Sequence, residues 1–134
     1  MSKLTVSSPH TSILVLEAYA KLLSFDFHLA LGNFSALHKK VRSCHSDKAA
    51  AFPNATERIC AAVDLACVWY WKEVRCLQRS AVATCLLKRH GVPAQMVIGA
   101  QQIPFRAHAW VEVDGRVVND KPYMRQMYAV LDHC

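Results

Sequence analysis

Apolar and polar positions recur along this chain with two periods, and the change between them falls at Pro93. Before it the spacing is helical. Ser12 to Leu31 is an apolar run interrupted by Glu17, Lys21, Asp26 and His28. It reads as a buried amphipathic helix, with Glu17 and Lys21 one turn apart in the favourable order. A polar stretch, roughly His38 to Ala55, separates it from the next helix. Pro53 with Asn54 or Thr56 marks that start. Ile59, Val63, Ala66 and Tyr70 then repeat as a buried stripe. A third helix begins near Cys76, with Leu77, Ala81 and Cys85 on one face and Gln78, Arg79, Lys88 and Arg89 elsewhere. It stops at His90-Gly91-Val92-Pro93, because Gly91 suits a left-handed cap and Pro93 cannot continue a helix.

Beyond Pro93 the period is two. Gln95 to Gly99 reads as a strand, and Gln101 to Arg106 as a loop. Ala107 to Val113 is a second strand and Arg116 to Asp120 a third, joined around Asp114-Gly115. Helices followed by an antiparallel sheet make an α+β fold. The last turn decides which side chains share a face. A three-residue loop, Val113-Asp114-Gly115, sets Glu112 opposite Arg116, Trp110 opposite Val118 and His108 opposite Asp120. A two-residue turn slips the register by one and parts His108 from Asp120. The two-residue turn is commoner for this dipeptide. The three-residue loop is nevertheless expected, because it creates the Glu112–Arg116 charge pair. It also sets a carboxylate beside an imidazole, a reason that leans on the chemistry argued below.

Composition narrows the classes. The 134 residues are 53% hydrophobic and 19% charged, which fits one globular domain and excludes a disordered chain. The net charge is +6, but the basic residues are scattered, with short pairs such as Lys39-Lys40 and Lys88-Arg89. No tract interleaves them with aromatics, so nucleic-acid binding is not expected. The charged residues within Ser12 to Leu31 argue against a membrane span. Contact of that helix with a membrane surface is a minority reading. Asn54-Ala55-Thr56 matches a glycosylation sequon but reads more simply as a helix start. The six cysteines, at 44, 60, 67, 76, 85 and 134, include no C-x-x-C pair, so no metal site is expected. With this much aliphatic content and no secretory signal, reduced thiols in a cytosolic protein are expected rather than disulfides.

Three residues carry candidate chemistry. A thiol attacks well only as a thiolate, and the free N–H groups of a helix N-terminus favour negative charge. Cys76 sits where the third helix should begin, with Arg75 and Arg79 nearby. An imidazole can take the thiol proton and later protonate a leaving amine. A carboxylate on its other nitrogen fixes the tautomer. His108 and Asp120 match those roles. Taken singly, each has a plainer reading: a small buried hydrophobe, a structural histidine, and an aspartate ending a strand before Lys121-Pro122. The order, thiol at a helix start and then His and Asp on paired strands, is more specific than any one of them. Cys85, Cys60 and Cys67 fall on helical faces and read as core. Cys44-His45 is an adjacent pair whose side chains diverge. Of Trp69, Tyr70 and Trp71, Tyr70 belongs to the buried stripe. Core packing is the default for the tryptophans, though one could wall a substrate groove.

The run from Arg75 to Asp120 resembles the transglutaminase-like B proteins of lasso peptide biosynthesis, cysteine proteases that remove the leader from a precursor peptide. The matching pieces are "CLQRS" at the thiol, "GVPA" and "VIG" into the first strand, "PFRAHAWVE" around the histidine, and "VVND" at the aspartate. The run covers about a third of the chain, and the pieces stand in it in order. The resemblance implies a single domain, 1–134, with a mainly helical part, 1–72, and a papain-like or transglutaminase-like catalytic core, 73–134. It implies a Cys76–His108–Asp120 triad acting by acyl transfer, with no cofactor, in the bacterial cytoplasm. The implied partners are the precursor peptide, a separate leader-recognition protein and an ATP-dependent cyclase, this chain being the stand-alone protease half. The oxyanion hole should include the Cys76 N–H, with Gln78 a weak second candidate. Trp69, Trp71, Gln78, Arg79, Phe105 and Trp110 are the candidate substrate contacts, around a groove formed by the third helix, the Gln101 to Arg106 loop and the preceding aromatic segment. The same triad also suits an amidase or an amine-transferring transglutaminase, and the same fold a non-catalytic peptide-binding module.

Overall fold

The computed structural model describes residues 10–31, 34–44 and 51–134. Four helices come first: α1 (Thr11–Leu31), α2 (Phe34–Ser43), α3 (Ala55–Trp69) and α4 (Cys76–Arg89). Strands β1 (Ala94–Gln102), β2 (Phe105–Val113) and β3 (Arg116–Val117), a short helix α5 (Met124–Met127) and strand β4 (Ala129–His133) follow. The sheet is antiparallel, in the order β3-β2-β1-β4. The α+β expectation therefore holds.

Helix α4 is the central element. Ser80 to Leu87 are all buried, because the helix lies between α1 and α3 on one side and β1 and β2 on the other. One core joins Leu14, Leu22 and Phe25 of α1, Ile59 and Val63 of α3, and Leu86 and Leu87 of α4 to Met96 and Val111 of the sheet. The expected stripe of Ile59, Val63, Ala66 and Tyr70 is buried within it. The opposite face of the sheet carries a smaller core of Val97, Trp110 and Met124, with Tyr128 packed against it. Gly91 caps α4 at φ 83°. Among the described residues no helix is long and apolar enough to cross a membrane.

Several expectations are corrected. The polar stretch from His38 is not all connection, since α2 runs to Ser43. His45 lies outside the described residues. Cys44, just past α2, is disulfide-bonded to Cys85 in mid-α4, with Cα atoms 5.6 Å apart. The reduced-thiol expectation fails at this pair because α2 delivers Cys44 onto the core helix. Glu17 pairs with His90 across 3.0 Å. The expected loop from Gln101 to Arg106 shrinks to Ile103-Pro104, joined by a cis peptide bond. Asp114 and Gly115 both have positive φ, 51° and 77°, which is the two-residue hairpin turn. Val113 thus pairs with Arg116 and Glu112 with Val117. The Glu112–Arg116 pair does not form, and Glu112 takes Arg125 instead, at 2.9 Å. The third strand stops at Val117, short of the expected Asp120.

Candidate active site

Cys76 opens α4. Arg75 before it is extended and makes no side-chain cap, so the first N–H groups of the helix are left to whatever faces the thiol. His108 lies in β2 opposite Gly99 of β1. Its ring stacks on Tyr128, centroids 5.4 Å apart, and on Trp110 at 6.1 Å. Gly99 permits this arrangement: a Cβ there would meet Trp110 Cη2 at 2.7 Å and Tyr128 Cβ at 2.8 Å.

Asp120 Oδ2 stands 2.6 Å from His108 Nε2. A carboxylate only accepts, so Nε2 carries a proton, and in the neutral ring Nδ1 is then an acceptor. Asp120 Oδ1 accepts from the Lys121 N–H at 2.8 Å, and Arg79 Nη2 stands 4.0 Å from Oδ2. Burial pushes the Asp120 carboxyl up. The hydrogen bonds from His108 and Lys121, with the charges of His108 and Arg79, outweigh burial and hold it below the ordinary 3.8.

The register makes this contact unexpected. In a continued two-residue-turn ladder Asp120 would face Ala109 and share its side of the sheet, away from the imidazole. The chain leaves the ladder instead. Val118 N–H still donates to Val111 C=O, at 3.0 Å, but Val111 N–H donates to Asn119 Oδ1, at 2.7 Å. The Asn119 side chain has replaced the Val118 carbonyl. Asn119 Nδ2 donates to Ser80 Oγ at 3.1 Å, and Ser80 Oγ donates to Ala109 C=O at 3.0 Å. Arg79 Nη2 donates to Asn119 C=O at 3.0 Å. Two residues from the first turns of α4 therefore hold the bend that brings Asp120 to His108.

Cys76 and His108 line one cavity of about 210 Å³ with Leu77, Ile98, Ala107 and Ala109. It lies where α4 begins, beside the open edge of β2. A larger cavity, about 530 Å³, lies around Lys88, Gln95, Glu112, Arg125 and Cys134. It has no imidazole to accept a thiol proton, so size does not select it. Of the four free cysteines, burial and the charges of Asp64 and Glu57 push the Cys60 thiol to about 11. Burial also raises Cys67 and Cys134.

The other sequence candidates scatter. Trp69, at the end of α3, and Trp71, on the connection into α4, are more than 70% exposed, as is Phe105. Trp110 is fully buried, and its indole N–H donates to Glu112 at 2.8 Å, so it backs the imidazole rather than lining the cavity. Gln78 is buried, and its amide nitrogen donates to Asp26 of α1, which commits that donor away from an oxyanion. Arg79 is engaged with Asn119, Asp64 and Asp120. Ser80, Gly99, Asn119 and Tyr128 also belong to the site, though sequence reasoning does not single them out. Gly99 and Asn119 stand inside the "VIG" and "VVND" pieces; nothing marked Tyr128.

A thiol, an imidazole acceptor and a carboxylate in this arrangement can form and hydrolyse a thioester. A family model described as the transglutaminase-like superfamily matches residues 20–132. The microcin J25-processing protein McjB of Escherichia coli is 41% identical over 56 residues, covering 42% of this chain. That stretch spans only 27% of the length of McjB. No solved structure matches.

Proposed function

The chain belongs to the transglutaminase-like superfamily, and from that premise we propose that it is a cysteine peptidase that cleaves the leader from a ribosomally made lasso peptide precursor. The observation that carries the reading is the shared cavity of Cys76 and His108, with His108 held on its far nitrogen by Asp120. The similarity to McjB, a microcin J25-processing protein, supplies the substrate class.

In this reading residues 73–134 are the catalytic part of a single domain. His108 Nδ1 takes the Cys76 proton, and sulfur attacks the carbonyl of the leader–core bond. The tetrahedral oxyanion is met by the Cys76 N–H. His108 returns the proton to the leaving amine, and the C–N bond breaks to give a thioester. Water, deprotonated by the same nitrogen, releases the second product and restores the thiol. Asp120, kept ionised by its partners, holds the imidazole in the tautomer that leaves Nδ1 free. A separate leader-recognition protein and an ATP-dependent cyclase act beside it in the bacterial cytoplasm.

The test is cleavage. Purified chain is mixed with the precursor peptide encoded beside it and the recognition protein, and product masses are read. The expected result is release of intact core by wild type, abolished in Cys76→Ala and His108→Ala and reduced in Asp120→Asn. Folded wild type that cleaves under no partner condition would refute the proposal.

A further inference from the structure

The edge of β2 beside the cavity is open, and its hydrogen-bonding direction can be worked out. Met96 exchanges both backbone hydrogen bonds with Cys134, at 2.9 and 2.8 Å. Even-numbered residues of β1 therefore point toward β4 and odd-numbered ones toward β2. The β1–β2 register is unbroken from Ala94–Val113 to Gln102–Phe105. In β2 it is thus the even-numbered residues that bond β1, and the odd-numbered ones that face away. Val111 shows this directly through its bonds to Val118 and Asn119. Nearer the hairpin tip, Ala109 C=O accepts from Ser80. The N–H of Ala109, and the N–H and C=O of Ala107 and Phe105, have no partner among the described residues. Ala107 and Phe105 are exposed.

We infer that this edge is the substrate subsite, and that an extended stretch of the peptide flanking the scissile bond adds to it as a further strand. An exposed strand edge is a template for another chain. Its main-chain bonds are indifferent to side-chain identity, and alternate residues of the added strand meet Phe105, Ala107 and Ala109 in turn. The edge leads into the cavity that holds Cys76 and His108, so a peptide seated on it carries its next carbonyl to the sulfur. Ala107 and Ala109, both lining the cavity, are small enough to leave its wall low. The identity of the occupant rests on the peptidase reading; the open edge does not.

The experiment uses Cys76→Ala protein and a synthetic peptide spanning the leader–core junction of the neighbouring precursor. Amide hydrogen exchange is read by NMR. Phe105, Ala107 and Ala109 should slow at least about tenfold on peptide addition, while Arg106, already bonded to β1, should not change. Ala107→Pro removes one outward donor without touching the β1 ladder, and should weaken binding about two- to tenfold. N-methylation of the peptide at alternate residues should do the same with the protein unaltered, and decides the matter if Ala107→Pro does not fold. Peptide that binds without protecting these amides, or does not bind at all, overturns the inference. Wild-type cleavage run in parallel separates the two claims. Cleavage without protection removes the subsite and leaves the peptidase; protection without cleavage removes the peptidase and leaves a peptide-binding edge.

Discussion

Asn119→Ala is the most informative single change, because Asn119 touches no substrate in the proposed mechanism yet holds the bend that carries Asp120. The substitution deletes the acceptor for Val111 N–H and the donor to Ser80 Oγ. Val111 and Ser80 are both fully buried, so water does not replace the lost partners. An ordinary hydrogen bond contributes about 1 kcal/mol net, but a buried N–H left unpaired costs about 1–3 kcal/mol. The sum is a loss of about 2–4 kcal/mol, read as a fall in the urea midpoint at unchanged slope. Asn119→Asp keeps an acceptor for Val111 and should lose about half as much. Activity should fall more than stability, because Asp120 is then free to leave His108. That is tested by kcat at a temperature where the variant is fully folded. A loss below about 0.5 kcal/mol with kcat unchanged would show that β3 ends for some other reason and that the side chain is incidental.

Gly99→Ala should destabilise the fold by about 1–3 kcal/mol and depress cleavage, since its Cβ would run into the ring of Trp110 and the Cβ of Tyr128, whose side chains flank His108; a variant of wild-type stability and rate would refute that. Asp26, Glu112 and Asp120 all have carboxyls held below their ordinary values of 3.8, 4.5 and 3.8. The unfolded chain therefore takes up protons first, so their contribution is complete above those values and is lost as pH falls below about 4.5. Urea midpoints should be flat from about pH 7 to 5 and fall steeply by about pH 3, and a flat profile to that limit would contradict the assignment. Reducing Cys44–Cys85, which closes a separation of 41 residues, should lower stability by up to about 4 kcal/mol, with an unchanged midpoint in reductant as the refuting result. A thiol-reactive probe at neutral pH should label Cys76 ahead of Cys60, Cys67 and Cys134, and Cys76→Ala should abolish the fast phase.

What the sequence disclosed, and what it withheld, divides by the range of the interactions involved. Helix α4 could be placed at both ends because its signals are local: a turn-forming glycine, a proline beyond it and an apolar face. The stripe from Ile59 to Tyr70 was equally legible. Helix α2 was not, because Lys39, Lys40 and Arg42 make it polar on most sides, with Leu37 and Val41 buried between them. The Cys44–Cys85 pairing depended on where that helix packs. Strand β4 and α5 follow Lys121-Pro122, where exposed and buried residues show no clean period. Trp110 illustrates the limit for the site. Its neighbours in sequence suggested a groove, but alternation along β2 puts it in the small core behind the imidazole, a placement fixed by α5 and Tyr128 rather than by the motif.

The hairpin register exposes the deeper reason. Part of the case for a three-residue loop is that it brings His108 and Asp120 together, and the contact exists without the loop. Regular pairing in the observed register would have parted them, so the contact requires that β3 end after two residues. That ending has a second consequence. A β3 of ordinary length would have covered the outward groups of Ala109, Ala107 and Phe105 and closed the approach to the cavity. One interruption, held by Asn119, Ser80 and Arg79, thus turns Asp120 toward the imidazole and leaves the neighbouring edge for a substrate strand. A requirement of this kind is met by a departure from strand periodicity, and pattern alone, which extends whatever period it finds, reads straight through it.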